Sequence, residues 1–469
     1  MKFVAAACAG EILRGSADAD VARVCIDSRH VQAGDLFFAV KGDRFDGHDF
    51  LEEVAAQGAA AAVVAKARSS AFRRLTEPPE GGTPNECAVI AVDDVRVALG
   101  KLAAAHRAEL ELPVIAVCGS NGKTTTKELL AAVLRQKFAT LASEASFNND
   151  IGVPLTLLQL TREHRAAVVE VGTNHPGELA PLVKMAAPQF GVITNIGREH
   201  LEFFGDVAGV AEEEGVLAEL LPSSGKLFLN GDDAWTEKIS RRTKAQVVRV
   251  GLGRGSHWNA GAVKFDNRGT TFNVLAPTLA FVGQYQIHLL GRHQVVNALF
   301  AIAVGAELGL SREEIQRGLS ACPPAKMRLQ LSEANGVTVL DDSYNANADS
   351  MAAALEVLKE LPCAGRRLAV LGDMAELGAH AEAAHAETGR LAAELGVEQL
   401  FAVGKMSGVM AAAARAAGLN RVLEFADVDA AARAVKSFVK AGDVVLLKAS
   451  RAMRLERVAE VLRAETGGK

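Results

Sequence analysis

A buried strand, a glycine loop and a helix follow one another at residues 114–128, and this order limits the chain to few folds. Residues 114–118 (VIAVC) form a short continuous apolar run, and the chain continues as GSNGKTTTKE. Short apolar runs bounded by glycine are typical of strands buried on both faces, which occur mainly in parallel sheets covered by helices. The order therefore predicts an α/β fold with the loop at the carboxyl edge of a sheet, where ligands bind.

The loop has the composition of a phosphate-binding site. Gly119 and Gly122 let successive backbone N–H groups point at one anion, and the following helix adds the partial positive charge of its N-terminus. Lys123 can reach the terminal phosphates, and the Thr124 hydroxyl can hold a magnesium ion. Two residues separate the first glycine from Gly-Lys, against four in a Walker A loop, which favours a family with its own compact loop. The alternative is a turn that merely joins strand to helix; the sequence predicts an ATP site.

Length and composition are those of an ordinary soluble protein with several domains. The chain has 469 residues, of which 49% are hydrophobic and 23% charged, which predicts two to four domains. A net charge of −5 without a basic stripe disfavours nucleic acid as a partner. The six cysteines include no C-x-x-C pair, which argues against a zinc site or a disulfide framework.

The N-terminus and the apolar runs bear on localisation. The apolar run at residues 3–9 is at the minimum length for a signal peptide, and Glu11 and Arg14 follow it directly. Elsewhere, apolar runs fall short of the roughly 18 residues that a membrane span needs. We therefore expect a cytoplasmic monomer with reduced thiols and no membrane insertion.

Turn-rich stretches divide the chain into three predicted domains. Residues 1–85 alternate short apolar runs with turns and end in a Pro/Gly-rich stretch at 77–84, which reads as a linker. Residues 86–320 alternate strand-like and helical runs, beginning with a strand at 88–92. Residues 321–469, after the Pro323-Pro324 pair, repeat strands with alanine-rich helices.

This pattern predicts a three-domain α/β protein. We expect a smaller N-terminal α/β substrate domain, a central doubly wound P-loop-type ATPase domain and a C-terminal Rossmann-like domain. Residues 246–289 alternate β-branched and polar residues, which predicts an antiparallel annex to the central sheet. Ligands of such proteins bind in the clefts between domains.

Two polar side chains stand at the ends of predicted strands in the central domain. Glu170 closes the run AAVVE, and His200 follows the strand-like run at 190–196. Magnesium and phosphate chemistry needs carboxylate and imidazole ligands at such positions. Burying a lone strand glutamate is costly, which favours a functional role for Glu170. For His200 a structural role stays equally open.

Three polar stretches have both a functional and a purely structural interpretation. Residues 148–152 (NNDIG) form either part of a site or an Asx-rich turn. Residues 341–347 (DDSYNAN) come directly after a predicted strand, where acidic residues suit ribose hydroxyls. Residues 291–297 (GRHQVVN) open an apolar helix, as a ligand site or as a simple helix start.

Together these motifs resemble the Mur ligases along almost the whole chain. The similar stretches are GSNGKTT at 119–125, NIG followed by HLE at 195–202, and the helix start with His293 and Asn297. This resemblance implies a three-domain, ATP-dependent amide ligase of peptidoglycan precursor synthesis.

Four further stretches are most similar to one activity within that family. They lie at 46–50, 341–347, 371–378 and 448–451. They imply the joining of D-alanyl-D-alanine to UDP-N-acetylmuramoyl-tripeptide, with ATP and Mg²⁺ as cofactors. The alternatives are a sibling enzyme, such as the UDP-N-acetylmuramoyl-tripeptide synthetase or a folylpolyglutamate-type synthetase, and a regulatory module that binds ATP without ligation.

The resemblance also implies roles for individual residues. The implied ATP-binding residues are Gly119, Ser120, Asn121, Gly122, Lys123, Thr124 and Thr125 around the phosphates, with Arg328 also at the phosphates, Asn297 at the adenine and Asp342 at the ribose. The implied substrate-binding residues are Ser28, Arg29, Asp46, Gly47 and His48 at the uridine diphosphate end, with Asn148, Asn149, Tyr344 and Asn345. Thr124 and Glu170 would hold one magnesium ion and His200 a second, and the catalytic role would fall to Lys123, Glu170 and His200.

One departure from the family pattern concerns the metal. Many Mur ligases carry a carbamylated lysine on the helix after the histidine loop, and it supplies an additional carboxylate-like group to magnesium. The matching stretch at 210–217 reads VAEEEGVL and contains no lysine. Glu214 is at the matching position, and we expect its carboxylate to serve as a metal ligand without modification. The alternative is a solvated acidic run at a helix start, favoured by the helix dipole.

Overall fold

The computed structural model describes residues 1–67 and 87–464, so the predicted linker at 77–84 lies outside the described residues. The described residues have an α/β fold with three sheets. It divides into two compact units, described separately below: Met1–Val114, Leu141–Val171 and Pro181–Pro188 form the first, and Ile115–Thr140, Gly172–Ala180 and Gln189–Lys469 the second. Within the described ranges, every helix is too short or too polar to cross a membrane.

The first sheet lies wholly in the first unit. Its strands and helices are α1 (Lys2–Cys8), β1 (Glu11–Arg14), β2 (Val24–Cys25), β3 (Leu36–Phe38), α2 (Leu51–Ala56), β4 (Ala61–Ala65), β5 (Ala88–Val92) and α3 (Val95–Ala108). The strand order is β1-β5-β4-β3-β2, and only β1 pairs antiparallel. Strand β5, which stands at the start of the predicted central domain, pairs with β1 and β4 of the first sheet. Local alternation of strand and helix does not reveal which sheet a strand joins.

The second sheet has nine strands. Its strands and helices are β6 (Val114–Cys118), α4 (Lys123–Leu134), β7 (Thr140–Ala142), α5 (Gly152–Leu157), β8 (Ala166–Glu170), α6 (Leu179–Ala186), β9 (Phe190–Ile193), α7 (Leu201–Phe204), α8 (Val207–Glu214), α9 (Val216–Leu220), β10 (Lys226–Asn230), α10 (Thr236–Ser240), β11 (Gln246–Gly251), β12 (Trp258–Asp266), β13 (Gly269–Leu275), β14 (Gly283–Ile287), α11 (Arg292–Glu307) and α12 (Arg312–Ala321). The strands of the second unit follow the order β6-β9-β10-β11-β12-β13-β14.

The pairing within these strands corrects the predicted annex. Neighbouring strands pair in parallel along the order β6-β9-β10-β11-β12, and β12, β13 and β14 pair antiparallel. The antiparallel part therefore begins only at β12. Residues 246–251 belong to the parallel part of the sheet. The sequence does not show this, because a β-branched pattern is common to parallel and antiparallel strands.

In the first unit, α3 is fastened to the segment that contains α5 and β8. The Nε2 atom of His106 lies 2.9 Å from the carbonyl oxygen of Leu160. The buried Arg107 guanidinium donates to the carbonyls of Ala186, Leu110 and Leu112. These bonds satisfy a buried charge with backbone oxygens and hold the end of α3 in place.

The third sheet lies in the second unit and is doubly wound. Its strands and helices are β15 (Gln330–Ala334), β16 (Val337–Asp341), α13 (Ala348–Glu360), β17 (Arg367–Gly372), α14 (Ala381–Glu394), β18 (Gln399–Val403), α15 (Ser407–Ala416), β19 (Val422–Phe425), α16 (Val428–Phe438), β20 (Val444–Lys448) and α17 (Glu456–Arg463). The order is β15-β16-β20-β17-β18-β19, with only β15 antiparallel. Helices α13 to α15 pack on one face and α16 and α17 on the other, which confirms the predicted Rossmann-like architecture.

Candidate functional site

The loop between β6 and α4 has a backbone that only glycine adopts easily. Gly119 has φ 113° and Gly122 has φ 86°. A Cβ atom at Gly119 would lie 2.5 Å from Thr194 Oγ1, and one at Gly122 would lie 2.7 Å from Asn297 Oδ1. Both glycines are therefore required by conformation and by space. Helix α4 begins at Lys123, as predicted.

The segment after β9 supports this loop. The Asn195 side chain accepts from the backbone N–H of Asn121 at 3.1 Å and donates to its carbonyl at 2.8 Å. Ser120 N–H donates to the Asn195 carbonyl, and Gly197 N–H donates to Ser120 Oγ at 2.8 Å. Asn195 is thus a residue of the site that we did not assign from the sequence, although it lies in the NIG run.

Lys123 lies back over the loop beside a carboxylate. Its Nζ atom donates to the Gly119 carbonyl and lies 3.3 Å from Glu199 Oε2. Both side chains are largely buried, so their attraction is weakly screened. Glu199 was also missed, since a glutamate between Arg198 and His200 has no local signal that distinguishes it from a solvated one.

Glu214 is a second buried carboxylate at this loop. It ends α8, is 1% exposed, and accepts from Gly119 N–H at 2.8 Å through Oε2. Its Oε1 atom is buried and has no hydrogen-bond partner among the residues that the structure describes. Burial, together with the Glu199 carboxylate, raises the pKa of Glu214 to about 7, against the opposing charge of Lys123.

This environment excludes one of the two interpretations of the acidic run for Glu214. A solvated run at a helix start is wrong for Glu214, because the residue is buried at the C-terminal end of its helix. Two buried carboxylates next to one lysine leave a local excess of negative charge. An unpartnered carboxylate oxygen in that position fits a hard divalent cation, which prefers oxygen ligands.

The two neighbouring glutamates have other roles. Glu213 is buried and accepts from the backbone N–H groups of Gly177 at 2.7 Å and Leu179 at 2.8 Å, so it anchors the segment after β8. Glu212 is exposed and pairs with Lys238 and Arg242. Only Glu212 of the three fits the solvated interpretation.

His200 belongs to the same segment and pairs with the third sheet. It has φ 48°, and its Nδ1 atom lies 2.5 Å from Glu376 Oε2. This contact lowers the pKa of the Glu376 carboxyl below its ordinary value. The His200 Nε2 atom faces Glu199 at 3.9 Å. The structure therefore places His200 beside the carboxylate that contacts Lys123.

Residues from the third sheet contact the phosphate loop directly. Arg328 donates from Nη2 to Thr124 Oγ1 at 3.2 Å, and its guanidinium lies 4.4 Å from the centroid of the Tyr344 ring. Asn347 donates from Nδ2 to Asn121 Oδ1 at 3.0 Å and caps α13. Arg328 and the 341–347 run thus meet the predicted ATP loop, although about 200 residues separate them from it in sequence.

Asp342, the predicted ribose ligand, is part of a buried ion pair. Its Oδ2 atom accepts from Lys448 Nζ, and its Oδ1 atom accepts from Leu329 N–H at 3.1 Å. Lys448 is 2% exposed and also donates to the Asn345 carbonyl. A carboxylate has about four lone-pair sites, so Asp342 keeps capacity for a further donor such as a ribose hydroxyl.

We expect Asp342→Ala to destabilise the fold as well as to weaken nucleotide binding. Removal of the aspartate leaves the buried Lys448 charge without its anionic partner, with the Asn345 carbonyl as its remaining acceptor, and loss of one member of a buried ion pair typically costs about 3–5 kcal/mol. The free energy of unfolding from urea titration should fall by that amount, and addition of Lys448→Met should restore most of it. In the double variant, the KM for ATP should still exceed the wild-type value. A change confined to the KM of the other substrates would contradict the ribose assignment.

In the first unit, both ring nitrogens of His48 form hydrogen bonds within the protein. Its Nε2 atom accepts from Ala65 N–H at 2.9 Å, so the proton is on Nδ1, which faces Asp46 Oδ1 at 2.5 Å. Asp46 also caps the short 3₁₀ helix Gly47–Phe50. At Gly47, a Cβ atom would lie 2.8 Å from the Ala39 backbone. Asp46, Gly47 and His48 therefore form one rigid turn in which the histidine holds the shape.

Ser28 and Arg29 lie on a second capped turn. Asp27 caps the 3₁₀ helix Ser28–His30 and pairs with the exposed Arg29 guanidinium at 2.6 Å. This pairing holds the pKa of the Asp27 carboxyl well below its ordinary value. The arrangement presents an arginine at the surface of the unit, where an anionic group can reach it.

Asn148 and Asn149 have different environments. Asn148 donates to Glu170 Oε1 at 2.9 Å, whereas Asn149 accepts from Ile151 and Gly152 N–H in an Asx turn. The bland interpretation thus describes Asn149, and Asn148 contacts a predicted catalytic carboxylate. The neighbouring Asp150 pairs with Arg96.

Comparisons with known proteins show which family this chain is similar to. Family models match at residues 20–107 (Mur ligase family, catalytic domain), 117–305 (Mur ligase middle domain) and 327–451 (Mur ligase, glutamate ligase domain). The UDP-N-acetylmuramoyl-tripeptide–D-alanyl-D-alanine ligase of Escherichia coli is 37% identical over 465 residues, which cover 96% of each chain.

Two solved structures are similar over nearly their whole length. A MurF structure from Acinetobacter baumannii has a TM-score of 0.87 and 31% identity, with 99% of this chain and 98% of that chain covered. The MurF ligase from Thermotoga maritima in complex with ADP has a TM-score of 0.80 and 27% identity, with 95% of this chain and 98% of that chain covered.

Proposed function

We propose that this chain, which belongs to the Mur ligase family and is an ATP-dependent ligase, joins D-alanyl-D-alanine to UDP-N-acetylmuramoyl-tripeptide. The products would be the UDP-N-acetylmuramoyl-pentapeptide of peptidoglycan synthesis, ADP and phosphate. The observation that carries the proposal is the phosphate loop, where Lys123, two buried carboxylates and Arg328 converge. The choice of substrates is supported by the Escherichia coli relative, which is named for this reaction and is 37% identical over 96% of each chain.

The reaction would proceed in two steps. The terminal carboxylate of the tripeptide attacks the γ-phosphate of ATP, which gives an acyl phosphate and ADP. The amine of D-alanyl-D-alanine then attacks the acyl carbon, loses a proton and expels phosphate. A carboxylate is a poor electrophile, so phosphorylation supplies the leaving group.

The protein contributes mainly charge and alignment to these steps. Lys123 and Arg328 bring positive charge to the phosphate loop, and negative charge grows on the phosphoryl oxygens as the group transfers. Gly119 and Gly122 turn the backbone N–H groups towards the phosphates. Asn195 and Asn347 hold the loop from two sides, which keeps those N–H groups oriented.

Oxygen donors suit magnesium chemically, but the described residues contain no preformed group of three or more His, Cys, Asp or Glu side chains that could hold a metal ion. In the second unit, Thr124, His200 and Glu214 are the proposed ligands, and the unpartnered Glu214 oxygen supports the assignment. In the first unit, Glu170 stays a predicted ligand and catalytic residue. When bound, the ion would neutralise phosphate charge.

The remaining expectations also become proposals. We propose three domains, at 1–85, 86–320 and 321–469. Three separate family-model matches support the number of domains, but the first match, at 20–107, and strand β5 of the first sheet both cross the boundary at residue 85. We propose a cytoplasmic monomer. We assign Ser28, Arg29 and the turn at Asp46–His48 to the uridine diphosphate end, and Tyr344 and Asn345 stay proposed substrate-binding residues.

Nucleotide hydrolysis that depends on both substrates tests this function. We expect ADP to form with UDP-N-acetylmuramoyl-tripeptide and D-alanyl-D-alanine together, in equal amounts to the pentapeptide detected by mass spectrometry. A sibling ligase would instead respond to a different amino acid or acceptor in a substrate panel. A regulatory module would form ADP at a rate independent of both substrates, and either result would contradict the proposal.

A further inference from the structure

Arg198, in the segment after β9, ties that segment to two helices of the third sheet. Its backbone N–H and its Nε atom each donate to the Asp349 carboxylate at 2.7 Å. Its Nη1 and Nη2 atoms donate to the Glu387 carboxylate at 2.6 and 3.3 Å. Asp349 is in the first turn of α13 and Glu387 is on α14. One guanidinium therefore joins three elements, and its planar fork suits such paired contacts.

The same segment contacts the phosphate loop with its other side. Gly197 N–H donates to Ser120 Oγ, and Glu199 faces Lys123. The backbone of Gly197 also lies so near to α13 that a Cβ atom there would be 2.6 Å from Asp349 Oδ2. Arg198 thus lies between the loop that holds phosphates and the helices that follow Asn347.

We propose that Arg198 is a positioning residue for the ligase reaction. By holding α13 and α14 against the segment after β9, it keeps Asn347 and Arg328 in contact with the phosphate loop. The inference rests on the proposed function for its kinetic consequences, whereas its structural consequences are measurable without ligation.

The exposure of the network sets the expected size of the effect. Arg198, Asp349 and Glu387 are each about one-third exposed, with side-chain values of 34%, 36% and 33%. Such ion pairs are individually weak and sensitive to salt. Loss of the network should lower the population of the assembled arrangement rather than unfold the protein. Apparent nucleotide affinity falls in proportion to that population, whereas saturating nucleotide restores it.

Kinetics of Arg198→Ala and Arg198→Lys test the proposal. We expect Arg198→Ala to raise the KM for ATP about ten-fold and to change kcat less than two-fold. This pattern is expected when fewer molecules are in the state that binds the nucleotide. Arg198→Lys should recover part of the affinity, because an ammonium replaces one of the two paired contacts.

Increasing salt should raise the wild-type KM for ATP more than it raises the KM of Arg198→Ala. Glu387→Gln should have a smaller effect, and the double variant with Arg198→Ala should be no worse than Arg198→Ala alone.

Hydrogen exchange supplies the readout that does not need activity. In Arg198→Ala, amides of residues 195–200 and 347–352 should exchange faster, and those of α15 should not change. Arg415→Ala is the matched control. The Arg415 side chain is 47% exposed, against 34% for Arg198, and it pairs with Glu424 within the third sheet and its helices. The control variant should leave KM, exchange at 195–200 and the thermal midpoint unchanged.

Three results would overturn the assignment. The first is that Arg198→Ala leaves both the KM for ATP and the amide exchange rates unchanged. The second is that Arg198→Ala lowers kcat alone. The third is that the effects of the Arg198 and Glu387 changes on the KM are additive. If the wild-type protein did not ligate these substrates, ADP binding by calorimetry and hydrogen exchange would still test Arg198 independently of the proposed function.

Discussion

Lys123→Ala is expected to lower kcat for ligation at least about a hundred-fold, the usual loss when one preorganised charge is removed from a transition state. The lysine reaches across the phosphate loop to the Gly119 carbonyl and to Glu199, and its head group makes no contribution to the apolar core. The fold should therefore be retained, with a lower thermal midpoint because Glu199 loses its cationic partner. Turnover is measured as ADP formation with both substrates, and folding by circular dichroism and the thermal midpoint.

A second lysine near the same helix provides the control. Lys137 follows α4, is exposed, and donates to the Gly309 carbonyl. Lys137→Ala should keep wild-type turnover, because its charge is remote from the phosphate loop. Wild-type turnover in purified Lys123→Ala would remove the ATP site from this loop, whatever the behaviour of the control.

The phosphate loop was predictable because its signal is local. The two glycines, the lysine and the threonine lie within six residues, and glycine suits the positive φ that the structure shows at both Gly119 and Gly122. The doubly wound third sheet was predictable for a similar reason, since each strand and helix has its own apolar pattern.

The partners of the loop could not be predicted in the same way. Asn195, Glu199 and Asn347 reach it from the ends of other strands, and their own neighbours in sequence do not distinguish them from surface residues. His48 resembles a ligand in sequence, yet both of its nitrogens bond within its own unit. The bond partners of a polar residue depend on which loops the sheet order brings together.

The acidic run at 212–214 makes the same point through burial. The three glutamates are equivalent in a helical pattern, but Glu212 is paired at the surface, Glu213 anchors a loop and Glu214 is enclosed. The three side chains differ in desolvation because different elements pack around each of them on α8. The sequence of the acidic run does not reveal which elements these are.

Glu214→Gln is expected to weaken divalent-cation binding and to lower activity about ten- to a hundred-fold, the range typical when a group that supports a metal site is lost. The amide oxygen can still accept from Gly119 N–H, so the loop should keep its shape. The charge is lost, and the Lys123 ammonium then faces one carboxylate rather than two. Manganese binding in the presence of ADP, followed by electron paramagnetic resonance, measures the metal directly. Glu212→Gln is the control and should change stability by less than about 0.5 kcal/mol.

Glu214→Lys distinguishes a metal ligand from a structural carboxylate. An unmodified lysine there would bring a second ammonium next to Lys123 in a buried place, so activity and manganese binding should be very low. Bicarbonate can carbamylate that lysine and restore a negative oxygen donor, so we expect partial recovery of both in this variant alone. The wild-type enzyme should show no dependence on bicarbonate, because Glu214 supplies its carboxylate directly. Equal and negligible effects of glutamine at 212 and 214 on manganese binding would show that the cation is held by other residues.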